Sequence, residues 1–290
     1  MAKNYERTTS GNRFSISTRR TIQRRQDSTR PLTAQLIVVG TGIQWAGQTT
    51  LAAQRAIERA ERVLFAVADP WSARYIRSLS GNAQSFEYPR DGRPRRQIYH
   101  DMVAQILAEL RRGHQVCAVF YGSPAILTYP AHEAVRRSRA EGFAAWMLPA
   151  VSSLECLFAD LDIDPVERGC QVFEAGRFLD SRFLIDPRAH LILCQIALIG
   201  NTGTFDRADG IRRRSGLRLL GRRLAEIFPP EHEGILYEAA AHPLAHPRAE
   251  RVLLAELGEA DTSEISTLYV PPLTPPRAPK PKAEVSRRLS

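Results

Sequence analysis

Arg95 and Tyr99 stand four residues apart in a stretch of helical spacing that runs to Gly113, which places them one turn apart on one helix face. A guanidinium beside a phenol favours the phenolate, so the pair could act as a general base with a cation next to it. Arg96, at an offset of three, is the other candidate partner, and spacing alone leaves open an exposed pair without chemistry. A second group of residues lies at the ends of apolar runs: FYGSPAIL at 120–127, LPAVSS at 148–153 and the Asp69-Pro70 turn. Loops at the C-terminal ends of strands are where open α/β sheets bind ligands, although every such fold has turns there. Gly40-Thr41-Gly42 follows the first apolar run, but Gly47 falls two positions late for GxGxxG and Asp69 lies too far on to hold a ribose. A tight turn is therefore favoured over a dinucleotide loop. His132-Glu133 lacks a second histidine, no serine sits in a GxSxG elbow, and the seven histidines show no ligand spacing, so no metal is expected.

Such loops need rigid elements behind them. QLIVVGTGI at 35–43, RVLFAVAD at 62–69, QVCAVFYG at 115–122 and AAWMLPAVSS at 144–153 read as strands, the last running into a turn. Between them LAAQRAIERA at 51–60, capped by Thr49-Thr50, the stretch ending at Gly113, Pro130–Glu141 and ECLFADLDI at 155–163 read as helices. Further on, HLILCQIALIG at 190–200 is strand-like, IRRRSGLRLLGRRLAEIF at 211–228 is a basic amphipathic helix, and EGILYEAA at 233–240 and STLYVPP at 266–272 read as late strands. This alternation predicts an α/β protein of two lobes, 34–150 and 151–273, joined as one unit.

Composition narrows the function. The chain of 290 residues carries a net charge of +9, but residues 1–30 hold eight Lys/Arg against two acids and residues 271–290 hold five against one. Residues 31–270 are thus close to neutral and lack the basic footprint of a nucleic-acid module. The polar segment 1–33 and the Pro/Lys/Arg-rich segment 274–290 are expected to be disordered, the alternative being a tail that recruits an acidic partner. No apolar run reaches the length of a membrane span and no secretory signal opens the chain. With Cys117, Cys156, Cys170 and Cys194 scattered and no CxxC pair, a cytoplasmic protein with reduced thiols is expected.

GTG after the first strand, the YG-x-P loop and LP-x-VSS some way beyond it together resemble the tetrapyrrole methylase superfamily of S-adenosylmethionine-dependent methyltransferases. Within it, residues 121–165 are similar to the borosin peptide α-N-methyltransferases, with further matches in GCQVFEA at 169–175, HLILCQIALIG, EGILYEAA and ISTLYVPP at 265–272. The resemblance spans residues 34–273. It implies a two-lobed fold with the methyl-donor site in the cleft between lobes, and N-methylation of backbone amides in a ribosomal precursor peptide. Fused members carry an apolar substrate core after the catalytic domain; residues 273–290 are rich in Pro, Lys and Arg, so a split system with a separate precursor peptide is expected. The resemblance also implies a homodimer, S-adenosylmethionine as cofactor and no metal.

Residue by residue, the resemblance makes Tyr99 the base, Arg95 its tuner and oxyanion stabiliser, and Tyr88 and Tyr121 further active-site tyrosines. It implies donor contacts from Tyr121, Ser123, Ile126, Ser152, Ser153, Gln195, Leu236, Ser266 and Thr267. Two positions depart from the borosin pattern: Ser123 stands where histidine is usual and Ala150 where glycine is. The alternatives are a methyltransferase acting on a porphyrin or corrin macrocycle, and a binding protein on the same fold without catalysis.

Overall fold

Two buried apolar runs lie side by side at the centre of the first sheet: β1 (Gln35–Gly40) pairs in parallel with β4 (Gln115–Phe120) over its whole length. The computed structural model describes residues 33–273, apart from Trp45, Ala68, Arg90, Arg182, Thr202 and residues 204–208, and only the backbone of Asp209. The expectations for residues 1–32 and 274–290 lie outside these residues. β2 (Arg62–Ala66), β3 (Ala83–Ser85) and β5 (Ala144–Met147) complete a parallel sheet in the order β3-β2-β4-β1-β5.

Both faces of that sheet are covered, which is why its central strands read as unbroken apolar runs. Leu36, Val38, Val116 and Ala118 pack on one face against α3 (Arg95–Arg111) and α4 (Tyr129–Ala140). On the other, Val39, Cys117 and Val119 meet α1 (Leu51–Arg59) and α2 (Pro70–Leu79). The sequence reading had no helix at 70–79 and extended β2 to Asp69. Asp69 is instead the N-cap of α2, its carboxylate accepting from the Ser72 amide at 2.8 Å, with Pro70 as the first helical residue. An Asp-Pro pair opens a helix as readily as it makes a turn.

The second half departs further from simple alternation. β6 (Cys170–Glu174), β7 (His190–Cys194), β8 (Glu233–Glu238), β9 (Arg248–Leu253) and β10 (Thr267–Val270) form a mixed sheet, order β6-β7-β10-β8-β9. Only β6–β7 is parallel; the other three pairs are antiparallel. α5 (Ser153–Asp160) packs on one face through Leu154 and Leu157, and α6 (Ala175–Asp180) and α7 (Asp209–Ala225) cover the other. The run 190–200 stops being a strand at Cys194, because Gln195 takes a left-handed conformation (φ 59°, ψ 37°) and Ile196–Leu198 coil into a 3-10 turn. β10 ends at Val270 because Pro271 and Pro272 cannot extend the ladder.

The ends of β1, β4 and β5 converge on one glycine. A Cβ on Gly40 would lie 2.0 Å from the Gly122 carbonyl oxygen, 2.7 Å from Pro124 and 2.8 Å from the Ala150 methyl. Backbone cannot yield to such an overlap, so Gly40→Ala is expected to cost about 3 kcal/mol or more, or to abolish folding. Gly81, with nothing within 4 Å of the same methyl, is the control: Gly81→Ala should shift stability by less than about 0.5 kcal/mol in urea denaturation. Similar curves for the two variants would show that this crossing does not hold the sheet ends together.

Candidate functional site

A cavity of about 230 Å³ opens where strand ends from both sheets face each other. Ile43 enters it from the loop after β1, Tyr121 to Ser123 and Ile126 to Thr128 from the loop after β4, Ser152 and Ser153 from the start of α5, Cys194 and Gln195 from the end of β7, Ala239 after β8, and Glu264, Ile265 and Thr267 from the turn into β10. Each wall has a local cause. Gly122 takes φ +67°, and its amide and carbonyl exchange hydrogen bonds with Gly42 at 3.0 and 3.2 Å, folding the loop after β4 across the end of β1. Ser152 forms a capping box with Glu155: its hydroxyl accepts from the Leu154 amide at 3.1 Å and donates to the Glu155 carboxylate, which also accepts from the Ser152 amide at 2.7 Å. The turn 263–266 is held from behind by Glu238, which accepts from the Ser263 hydroxyl at 2.8 Å and from the Ser266 hydroxyl.

Seven of the nine expected donor residues line this cavity: Tyr121, Ser123, Ile126, Ser152, Ser153, Gln195 and Thr267. Leu236 and Ser266 are not among its walls. Leu236 is buried in the core of the second sheet, and the fully buried Ser266 spends its hydroxyl on Glu238. Glu264, Ile265, Leu127 and Thr128 line it without having been singled out. Gln195 is one of the few non-glycine residues with positive φ, and such strain collects at ligand sites.

A second cavity of about 200 Å³ shares Tyr121, Leu127 and Thr128 with the first. Tyr88, Tyr99 and Met102 are among its other walls, so three of the four expected catalytic residues meet there. The Tyr88 hydroxyl is hydrogen-bonded to Tyr99, their ring centroids 6.4 Å apart, and Tyr129, absent from the sequence expectations, lies tilted against Tyr99 with centroids 6.3 Å apart. Burial, reinforced by Tyr99, pushes the Tyr88 phenol well above its ordinary value, against the opposing pull of the Arg95 guanidinium. Burial likewise pushes Tyr121 up to about 12, with Cys156 and the Asp69 carboxylate adding to it. Arg95, the fourth expected residue, does not line the cavity: it is partly buried at the start of α3 and donates to the Asn201 carbonyl, while Arg96 is exposed.

The residues set aside on spacing have structural partners. Glu133 pairs with Arg136 and Arg137, the His132 ring meets the Ala125 carbonyl at 3.0 Å, and Gly40 serves the crossing of loops rather than a phosphate. Among the described residues, no three His, Cys, Asp or Glu side chains are grouped to hold a metal, and no helix is long and apolar enough to cross a membrane.

Residues 35–241 match the family model of tetrapyrrole (corrin/porphyrin) methylases. The chain is 36% identical over 256 residues to the methyltransferase/ribosomally synthesized cyclic peptide dendrothelin A precursor of Dendrothele bispora, covering 85% of this chain and 60% of that one. It is 34% identical over 252 residues to the corresponding omphalotin A precursor of Omphalotus olearius, again 85% and 60%. The chain thus spans about 60% of the length of these relatives. Uroporphyrin-III-C-methyltransferase from Thermus thermophilus has the same fold, with a TM-score of 0.56 and 24% identity over 82% of this chain and 92% of that one. A second structure of that enzyme, complexed with S-adenyl homocysteine, gives 0.57 and 17% over 82% and 97%.

Tyr121 supplies a pH test of the wall common to both cavities. Its folded value near 12 lies above the ordinary 10.0, so its contribution to stability is whole below about pH 10 and is lost as pH rises toward 12. Tyr121→Phe should remove one late-ionising phenol from the ultraviolet titration and flatten the fall in stability across that window. Loss of a phenol that ionises near the ordinary 10.0 would place Tyr121 in solvent instead.

Proposed function

Because the chain belongs to the tetrapyrrole (corrin/porphyrin) methylase family, we propose that it is an S-adenosylmethionine-dependent methyltransferase that methylates backbone amide nitrogens of a peptide. The observation that carries this is the pair of cavities sharing the Tyr121 wall, one lined by hydroxyls, apolar side chains and a carboxylate, the other by tyrosines. In this reading the peptide is a separate molecule and the enzyme a homodimer, whereas the relatives' names place methyltransferase and peptide precursor together.

The first cavity suits the donor. Ile43, Ile126 and Ile265 offer apolar walls for a purine, while Ser123, Ser153, Gln195 and Thr267 supply side-chain hydrogen bonds at several points around it. Ser152 contributes chiefly through α5, since its hydroxyl is engaged in the capping box. When bound, the donor supplies an electrophilic methyl carbon on a positively charged sulfur.

An amide nitrogen is a poor nucleophile because its lone pair is delocalised into the carbonyl. Tyr99, acting as base, would take the amide proton and leave the electron pair on nitrogen to accept the methyl group that a bound donor would supply, its sulfur leaving as the neutral thioether. Arg95 acts from outside the cavity walls, through its charge at Tyr88, as the tuner of the tyrosine cluster. Tyr88, its proton held on by burial, donates to Tyr99, and Tyr121 orients the peptide carbonyl at the boundary between cavities.

Isothermal titration of S-adenosylmethionine and S-adenosylhomocysteine, followed by intact-mass analysis of both the protein and the peptide encoded beside its gene, tests this. Binding of both ligands, with mass gains of single methyl groups on the peptide, is the expected result; gains on the protein itself would instead show methylation within one chain. Tyr99→Phe should bind the donor and slow peptide methylation by about 100-fold or more. Donor binding with no peptide methylation, together with a porphyrinoid that raises the melting temperature, would favour a macrocycle as acceptor, and no binding of either ligand would remove the methyltransferase reading.

A further inference from the structure

We propose that Glu264 is the counter-ion of the donor's sulfonium, so that this site tells the charged donor from its neutral-sulfur product. The proposal rests on the methyltransferase reading and adds to it the group that discriminates between the two ligands. Among the described residues lining the first cavity, Glu264 carries the only ionised side chain; the others are apolar residues, hydroxyls, an amide and a thiol. That thiol, Cys194, is pushed up to about 11 by burial and the Glu174 carboxylate, and so remains neutral at ordinary pH.

The position of Glu264 is built rather than incidental. The Ser263 amide donates to the Ser266 hydroxyl at 2.8 Å, the Ser266 amide returns a bond to the Ser263 carbonyl at 3.1 Å, and both hydroxyls donate to Glu238. Arg248, 3.4 Å from Glu238, balances the charge of that carboxylate. The turn so held projects its two middle residues, Glu264 and Ile265, into the cavity wall.

Glu264 also reaches the second cavity electrostatically, since its charge is one of the influences that keep the proton on Tyr88. Glu264 lines the same cavity as Tyr121, Leu127 and Thr128, the three residues at which the first cavity joins the second. Methyl transfer dictates what must lie toward that join: the sulfur, whose methyl has to face the acceptor nitrogen beside Tyr99. A carboxylate in the wall of this cavity attracts a sulfonium and has no such attraction for a thioether. The same attraction favours the bound donor over the transition state, in which the charge on sulfur is vanishing, so this device favours exchange of product for donor at some cost to the chemical step.

The experiment is titration of S-adenosylmethionine and S-adenosylhomocysteine into wild type, Glu264→Gln and Glu264→Asp, with urea denaturation of each as a check on folding. Glu264→Gln should weaken S-adenosylmethionine by about five- to tenfold and shift S-adenosylhomocysteine by less than about twofold, since only the first carries the sulfur charge. Glu264→Asp should restore most of the discrimination. In wild type, raising the salt concentration should weaken S-adenosylmethionine more than S-adenosylhomocysteine, a readout that needs no variant. Equal weakening of both ligands would assign Glu264 to the amino-acid end or the shape of the wall and overturn the proposal, as would no weakening at all. Failure of wild type to bind either ligand would overturn the methyltransferase reading first, and this proposal with it.

Discussion

The site depends on one close approach of backbone to backbone. Gly40 lets the loop after β4 cross the end of β1 with its carbonyl where a Cβ would be, and Pro124 and Ala150 close on the same point. Around it the sheet ends are tied by backbone hydrogen bonds: Thr41 to Phe120 at 3.0 Å, Tyr121 to Ala66 at 3.1 Å and Leu148 to Val38 at 2.8 Å. The ends of β1, β2, β4 and β5 are thereby fixed relative to one another before any ligand arrives. The loop after β4 leaves this crossing with Tyr121, Leu127 and Thr128 already placed between the two cavities.

The mixed sheet contributes to the cavity differently. A parallel sheet presents the carboxyl ends of several strands on one edge, and the loops after β1 and β4 belong to that edge. Antiparallel neighbours have no such common edge, so the second half supplies individual turns. Gln195 is turned out of β7 by its left-handed backbone, and 263–266 is bound down by Glu238. Both are over-determined by their surroundings, as a strained or charged cavity wall must be to persist.

What could be read in the sequence follows from the same division. β1 and β4 were legible because burial on both faces writes an unbroken apolar run, and α3 because its apolar face repeats every turn before stopping at Gly113. β3 was not, since Ala83–Ser85 is a three-residue edge strand with one partner and little apolar content. β9 was hidden likewise, its residues Arg248–Leu253 being largely exposed on an edge. In the site, Tyr121, Ser123 and Ser152 could be picked out because they lie in turn-rich loops directly after strands. Glu264 and Tyr129 could not: an acid inside a Ser-x-x-Ser turn and a tyrosine before the first-turn proline of a helix look like ordinary surface until the opposing sheet or helix is in place. Leu236 and Ser266 occupy matching motifs with their side chains buried, which the motif itself does not reveal.

The shared wall has a chemical consequence in the proposed reaction. Tyr121, Leu127 and Thr128 face both cavities, so donor and acceptor cannot be treated as independent occupants. Leu127 holds φ +52°, and the Thr128 hydroxyl donates to the Ile126 carbonyl at 2.9 Å, which holds the loop where it lines both cavities. Any movement that widens one cavity must shift the same three side chains in the other. Substitutions around this loop should therefore couple rather than add. The Arg95 guanidinium, anchored on Asn201, and the Glu264 carboxylate both act on Tyr88, so the tyrosine cluster lies in the field of one fixed cation and one fixed anion. In the proposed reaction the cation tunes the tyrosines, and the anion opposes the charge on the donor's sulfur. The close crossing at Gly40 keeps the strand ends that carry the loop between the cavities in fixed relation, so the tyrosines and the carboxylate keep their places on either side of it.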